Sequence, residues 1–336
     1  MATAPDHTIT GATLGSRSDR QDPKMKKLVV TGGLGHIGSR VLRSKVIEGF
    51  QEIIVIDDLR TQRYCSLFGL YQDNRMKFVF RDLSDVNLDE LIDTGTMVLH
   101  LAAITDAAGS FENADIVEKN NFQSLKKVAD TCLNKNANLI HLSSTSVYGS
   151  QVDRITDENS DNFLSPQSPY AETKIKEERY LQGLANLNYL TLRFGTIVGP
   201  SAGMRFHTAV NKFVFQALNG LPITVWETAL HQVRPYLSLT EACELLNFVI
   251  ANRIFNRRRL NIVSDNLSVN DILEVIKLHV PAITIEFVNS KIMNQLSYEV
   301  LGTEIARLGF SNRTAVKHEI ASSIKFLREF RFQTRS

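Results

Sequence analysis

The chain has 336 residues, and its 38 lysines and arginines against 36 aspartates and glutamates leave a formal net charge of +2. That balance gives no electrostatic reason to invoke nucleic acid or a membrane surface, and 43% apolar content is ordinary for a globular protein with a sizeable core. Cys65, Cys132 and Cys243 form no metal-type spacing and cannot all pair, which points to a reducing, cytoplasmic setting, and no apolar run is long enough to span a bilayer.

Residues 1–24 are small and polar, without the apolar core of a secretory signal, and read as a flexible tail. Residues 28–30 then form a short apolar strand, followed by a glycine turn and a helix expected to run to about Ile47. Gly32, Gly35 and Gly38 recur every three residues. In a strand–turn–helix unit the first permits a tight turn, the second lets backbone approach a pyrophosphate, and the third lets helix pack on strand. The helix N-terminus adds free amides and the positive end of its dipole. A lone glycine triplet is weak evidence. Here a second strand, residues 53–56, ends in Asp57, where a carboxylate would hold the adenosine ribose hydroxyls. An acid there repels a 2′-phosphate and favours NAD over NADP, while Arg60 and Arg63 argue the other way.

Residues 76–80 form the next apolar strand, and Asp82 beyond it could receive the adenine amino group or cap a following turn. Residues 97–100 run as a buried strand into Ala102 and Ala103, whose small side chains would let a cofactor lie against the backbone. His100 and His141 sit on apolar strands and read as packed core histidines. The strand 139–142 ends in Ser143, Ser144, Thr145 and Ser146. Hydroxyls at the carboxyl end of a central parallel strand face the ligand crevice, although a polar loop capping its own backbone would look the same.

Ser168 and Pro169 open a helix, as cap and first residue, that carries Tyr170 and Lys174 four residues apart on one face. A neighbouring ammonium favours the phenolate, so such a tyrosine can take a proton from a hydroxyl and return it. Chance supplies many Tyr–Lys pairs at this spacing; the glycine fingerprint and the hydroxyl-rich strand end, in this order, give the pair its meaning. Beyond Pro200 the rhythm changes. Helices are expected at 206–218, 240–251, 268–278 and 313–330, with strands at 222–226, 234–239, 259–263 and 283–288. Residues 25–199 therefore read as a doubly wound parallel α/β domain, with a sheet return near 234–263, and residues 200–336 mainly as a smaller α/β substrate-binding lobe. The segment 293–298 could line a substrate pocket, though a plain lobe surface fits it better.

The motifs resemble the extended short-chain dehydrogenase/reductases of the nucleotide-sugar epimerase and dehydratase group. The likeness spans residue 26 onward: Thr31 to Gly38, His100 to Ala103, Ser143 to Gly149, Tyr170 to Lys174, Leu192 to Pro200 and Arg234 to Leu239 match in order and spacing. The resemblance implies a Rossmann-type fold and NAD as cofactor. It implies Ser144, Tyr170 and Lys174 as catalytic residues, with Lys174 also on the ribose. It implies NAD contacts from Gly32, Gly35, His36, Ile37, Gly38, Asp57, Asp82, Leu83, Leu101, Ala102, Ala103 and Asn120, besides Tyr170 and Lys174. Thr105, Ser144, Thr196 and Arg234 would contact a nucleotide-diphosphate sugar, the arginine fork suiting a diphosphate. A homodimer through helices near 114–133 and 170–184 is also implied; Leu125 and Val128 permit it, as a core stripe equally would.

Departures from the family pattern sharpen the expectation. Dehydratases of this group usually carry an Asp-Glu pair directly after the catalytic hydroxyl residue, whereas this chain has Thr145 and Ser146. Thr196 stands where many members have Asn, and Thr240-Glu241 where many have paired acids, so the sugar's identity stays open. The expected activity is epimerisation by transient oxidation to a keto-sugar, at C4. Alternatives are a nucleotide-sugar reductase, dehydrogenase or dehydratase, and an NAD-binding regulator without catalysis, which would be expected to lack the Ser, Tyr or Lys present here.

Overall fold

A computed structural model describes residues 26–105, 109–151, 153–206, 208–288 and 297–329. The tail at 1–24 and residues 293–296 of the possible pocket segment lie outside these. The first half of the chain forms β1 (Lys27–Thr31), α1 (His36–Val41), β2 (Glu52–Asp57), β3 (Met76–Phe80), β4 (Met97–His100), α2 (Ala114–Lys135), β5 (Asn138–Ser144), α3 (Pro169–Gly183) and β6 (Asn188–Phe194). The second half forms β7 (Thr196–Val198), α4 (Ala209–Leu218), β8 (Ile223–Trp226), β9 (Val233–Ser238), α5 (Leu239–Ala251), β10 (Arg259–Ile262), β11 (Asp265–Ser268), α6 (Val269–His279), β12 (Ile285–Val288), α7 (Glu304–Arg307) and α8 (Val316–Arg328).

Seven strands make one parallel sheet in the order β10-β6-β5-β4-β1-β2-β3. Helices cover both faces, which is why its strands read as continuous apolar runs instead of alternating ones. Strand geometry sends successive side chains to opposite faces. Leu28 and Val30 of β1, with Ile53 and Val55 of β2, pack beneath α1 and α5. Val29 and Ile54 turn the other way, onto Leu125 and Val128 of α2 and Leu181 of α3. Leu125 and Val128 are fully buried there, so the stripe that the sequence left open between core and partner belongs to the core. Each such side chain contributes about 1.5–3 kcal/mol by leaving water.

The return to the main sheet is made by β10 alone, which pairs with β6. β9 instead joins β7 and β11 in a three-stranded sheet, and β8 pairs with β12. These pack with α4, α6 and α8 around a separate apolar cluster that includes Phe213, Ile272 and Ile320.

Two elements differ from expectation. The first helix stops at Val41 instead of Ile47, because the Ser44 hydroxyl donates to the Val41 carbonyl and then caps a single 3-10 turn, Lys45–Ile47. β3 is the sheet's edge, so its apolar pattern is not a burial pattern: Phe80 is 66% exposed.

Candidate active site

The turn after β1 is built by what a side chain would strike. Gly32 has φ +65°, and a Cβ there would lie 2.6 Å from the Ala102 backbone nitrogen. Only glycine lets β1 turn this tightly against the end of β4. At Gly38 a Cβ would lie 2.5 Å from the Gly33 carbonyl oxygen, so α1 can seat on its own turn only without one. A cleft opens above the turn, lined by Gly32, Gly35, His36, Ile37 and Gly38. Asp57, Arg60, Arg63, Asp82, Leu83, Leu101, Ala102, Ala103, Thr105 and Asn120 complete the sequence-named residues that line it. This floor of backbone without side chains fits a dinucleotide diphosphate.

The carboxylates of the cleft are organised. Asp57 accepts from the Leu34 amide (3.0 Å) and the Leu59 amide (2.9 Å), which ties the glycine turn to the end of β2. Asp82 caps the Ser84 amide (2.8 Å) and pairs with Arg60, so both readings of it as acid and cap are physically compatible. The Ser84 amide first, and Arg60 with it, hold the Asp82 carboxyl below its ordinary range. Arg60 also pairs with Asp58 and donates to Asn120 Oδ1 (3.0 Å), so its charge is spent on acids of the cleft.

The strap after β7 closes onto the same turn. His36 Nε2 meets the Gly199 carbonyl (2.8 Å), the Gly203 amide donates to Ser39 Oγ (2.9 Å), and Arg205 donates to Thr105 Oγ1 while lining the cleft. Arg205 and Asn121, which clamps Ile104 through both its amide N–H and carbonyl, escaped the sequence reading. Neither has a local pattern; each acts on a segment distant in the chain.

β4 and β5 pair in register His100↔His141. Ser144 ends β5 opposite Phe194 of β6. Of the clustered hydroxyls, Ser143 is 4% exposed and donates to Glu178 (2.6 Å), and Thr145 is 3% exposed and meets the Tyr298 hydroxyl (3.3 Å). Ser144 stays half-buried and accepts from the Ser146 amide (3.1 Å), leaving its proton free to point elsewhere.

α3 starts as its sequence requires, with Ser168 Oγ accepting from the Ala171 amide (3.2 Å) and Pro169 in the first turn. Tyr170 is half-buried, and its amide donates to Ser110 Oγ (3.4 Å). Lys174 is buried, with Nζ 5.8 Å from the Tyr170 ring centre. Behind it lies a charge the sequence reading did not use: Glu177 Oε2 is 2.8 Å from Lys174 Nζ and 2.8 Å from His141 Nε2. Burial lowers the lysine's proton affinity, but Glu177 and then Tyr170 outweigh it and hold the ammonium above its usual range. Burial likewise raises the Glu177 carboxyl, yet Lys174 and His141 bring it down to about 2. His141 is thus buried but wired, not merely packed. His100 bonds Thr31 Oγ1 (2.8 Å), and burial drives it down to about 3, so it is neutral.

Ser144, Tyr170 and Lys174 do not line the cleft over the glycine turn, nor do the substrate candidates Thr196 and Arg234. Thr196 is exposed on β7, opposite Tyr236 of β9, and Arg234 lies two residues before Tyr236, half-buried. No helix among the described residues is long and apolar enough to cross a membrane.

The chain is 25% identical over 334 residues to a trifunctional UDP-glucose 4,6-dehydratase/UDP-4-keto-6-deoxy-D-glucose 3,5-epimerase/UDP-4-keto-L-rhamnose-reductase of Arabidopsis thaliana, covering 91% of this chain but 48% of that protein. It thus spans about half the length of that relative. It is 26% identical over 239 residues to an ADP-L-glycero-D-manno-heptose-6-epimerase of Brachyspira hyodysenteriae, covering 67% and 72% of the two chains. Its fold matches that of a UDP-N-acetylglucosamine 4-epimerase from Methanobrevibacter ruminantium, with a TM-score of 0.80, 23% identity, and 92% and 100% of the two chains covered. It also matches a UDP-glucuronic acid 4-epimerase from Bacillus cereus, crystallised with NAD, with a TM-score of 0.79, 21% identity, and 91% and 100% covered. Residues 28–262 match one family over most of the chain, and the chain accordingly belongs to the NAD dependent epimerase/dehydratase family.

Proposed function

We propose that the chain is a nucleotide-sugar epimerase that works by transient oxidation at C4 of the sugar. The observation that carries this reading is the Tyr170–Lys174 pair on α3, with a buried ammonium 5.8 Å from the phenol ring, in a chain whose glycine turn opens a dinucleotide-type cleft. Gly32, Gly35 and the α1 N-terminus would hold the cofactor diphosphate, Asp57 the adenosine ribose, and Lys174 the second ribose. NAD, when bound, supplies the acceptor and then the donor of the sugar's hydride.

Tyr170 takes the proton of the sugar hydroxyl as hydride leaves the same carbon. Ser144 donates to the oxygen as it becomes a carbonyl. The keto-sugar turns in its pocket, and Tyr170 returns the proton once hydride has reached the opposite face. Arg234 and Thr196, with Thr105, would hold the nucleotide diphosphate and sugar. Elimination of water is disfavoured because Thr145 and Ser146 offer no carboxylate beside Ser144, and Thr145 is committed to Tyr298. Pairing of two copies through α2 and α3 is part of the proposal, and light scattering measures it.

Purified protein with NAD and a panel of UDP-, ADP- and dTDP-hexoses should produce a new epimer, read by proton NMR, with no net absorbance change at 340 nm. A stoichiometric change at 340 nm would instead make it a reductase or dehydrogenase. Accumulation of a deoxy-keto-sugar would make it a dehydratase. Tyr170→Phe should lower turnover by about 10²–10⁴-fold and keep NAD binding.

A further inference from the structure

Lys174 is 4% exposed, and a buried amine sheds its proton unless an opposite charge holds it. Several charged and titratable groups surround it. On α3 itself, Glu178 is taken by Arg193 of β6 (2.6 Å) and Ser143 (2.6 Å). From β4, His100 is neutral and bound to Thr31. The charges where α2 meets α3 are paired on the solvent side, Lys176 with Glu118 and Lys126 with Asp130. That leaves Glu177, itself 1% exposed, as the one carboxylate in contact with the ammonium among the described residues.

The geometry makes this contact rigid. One oxygen, Glu177 Oε2, takes both the lysine N–H and the His141 Nε2–H, each at 2.8 Å. His141 Nδ1 faces Thr191 Oγ1 at 3.3 Å, which steadies the ring from β6. The carboxylate is therefore held from two sides by groups on α3 and β5. An ammonium has three donors, and this pairing turns one of them away from Tyr170 and leaves two for the catalytic side.

We propose that Glu177 is a positioning residue of the acid–base machinery: through one carboxylate oxygen shared with His141 it keeps the Lys174 amine protonated inside the protein, and so sets the pH at which Tyr170 takes a proton. The proposal rests on the epimerase reading for its meaning but not for its test. Glu177→Gln removes the charge at constant shape. The amine then loses its counter-charge, deprotonates more easily, and ceases to favour the phenolate.

The test uses the NAD-loaded protein labelled with [13Cζ]tyrosine, in which Tyr170→Phe assigns one of eight tyrosine signals. In Glu177→Gln the Tyr170 phenolate signal should emerge at higher pH than in the wild type. Glu177→Asp keeps the charge but retracts it by one methylene, so its signal should fall between the two. With a nucleotide sugar that turns over in the epimer screen, single-turnover hydride transfer at neutral pH should drop about tenfold in Glu177→Gln, and its acid limb should move to higher pH. A merely structural role would lower the melting temperature and leave the titration in place. An unchanged signal, or one moved to lower pH, in either variant overturns the proposal. If the signal moves as expected and no sugar is converted, the epimerase reading fails while the wiring stands. If sugars are converted and the signal does not move, only the wiring fails.

Discussion

The substitution Glu178→Gln keeps the side chain's shape and removes its charge. Glu178 and Arg193 are 2% and 1% exposed and form a two-pronged pair, Arg193 Nε to Oε1 at 2.9 Å and Nη2 to Oε2 at 2.6 Å. In the variant one prong survives on the amide oxygen. The other sets an N–H₂ against a guanidinium N–H, donor to donor, between side chains only 1% and 2% exposed. Breaking a buried pair by removing one partner costs about 3–5 kcal/mol. Arg193 keeps the Tyr148 hydroxyl at 2.9 Å and has Asp161 at 3.6 Å, so some of its charge stays compensated. The expected loss is therefore at the lower end, about 3 kcal/mol. With a urea slope of about 3 kcal/mol/M, the unfolding midpoint should fall by roughly 1 M at unchanged slope. A fall of less than about 0.3 M would mean that the buried cation finds another partner, and would refute the reasoning. The double variant Glu178→Gln with Arg193→Met should recover much of the loss, because no unpaired charge remains.

Gly32→Ala should cost about 2–5 kcal/mol, combining a left-handed φ with a Cβ 2.6 Å from Ala102 backbone, and should weaken NAD binding in calorimetry. Gly49→Ala, with nothing within 4 Å of its Cβ, is the neutral control in the same thermal melt. Stability should also decline in acid. Glu177 is held down to about 2 from an ordinary 4.5, so its contribution is complete above about pH 4.5 and is lost as pH falls toward 2. Denaturant midpoints measured between pH 6 and pH 3 should show this loss, and the loss should be smaller in Glu177→Gln; equal losses in both proteins would contradict it.

The local geometry of the candidate site was legible because its signals are local. The cap at Ser168, the proline at 169 and the four-residue step from Tyr170 to Lys174 all lie within about two turns of one helix, where backbone geometry alone sets neighbours. The same holds for the β1 turn, where Gly32 must be glycine for its own φ. The strands of the sheet were legible because burial on both faces demands unbroken apolar runs. Failure came where that logic does not apply. β3 is as apolar as its neighbours but lies at the edge, and nothing within residues 76–80 records which strand is last. The first helix ended early through a hydroxyl contact, Ser44 Oγ to the Val41 carbonyl, that depends on the rotamer of one serine.

From the order of its residues alone, this chain was determined to be a doubly wound α/β protein with a glycine turn, a strand-end serine and a Tyr–Lys helix. Only the packed structure decided which charge answers Lys174, that His141 is wired instead of inert, that Arg60 is spent on Asp58 and Asp82, and that Arg205 reaches Thr105. Lys174–Glu177 lies within α3 and Arg60–Asp58 within one loop, but the contacts to His141, Asp82 and Thr105 join separate strands, helices or loops and depend on their relative placement to within an ångström. Helical and strand periodicity fix neighbours along one element; the energy of a buried charge is decided by partners that only the folded arrangement of several elements brings within reach.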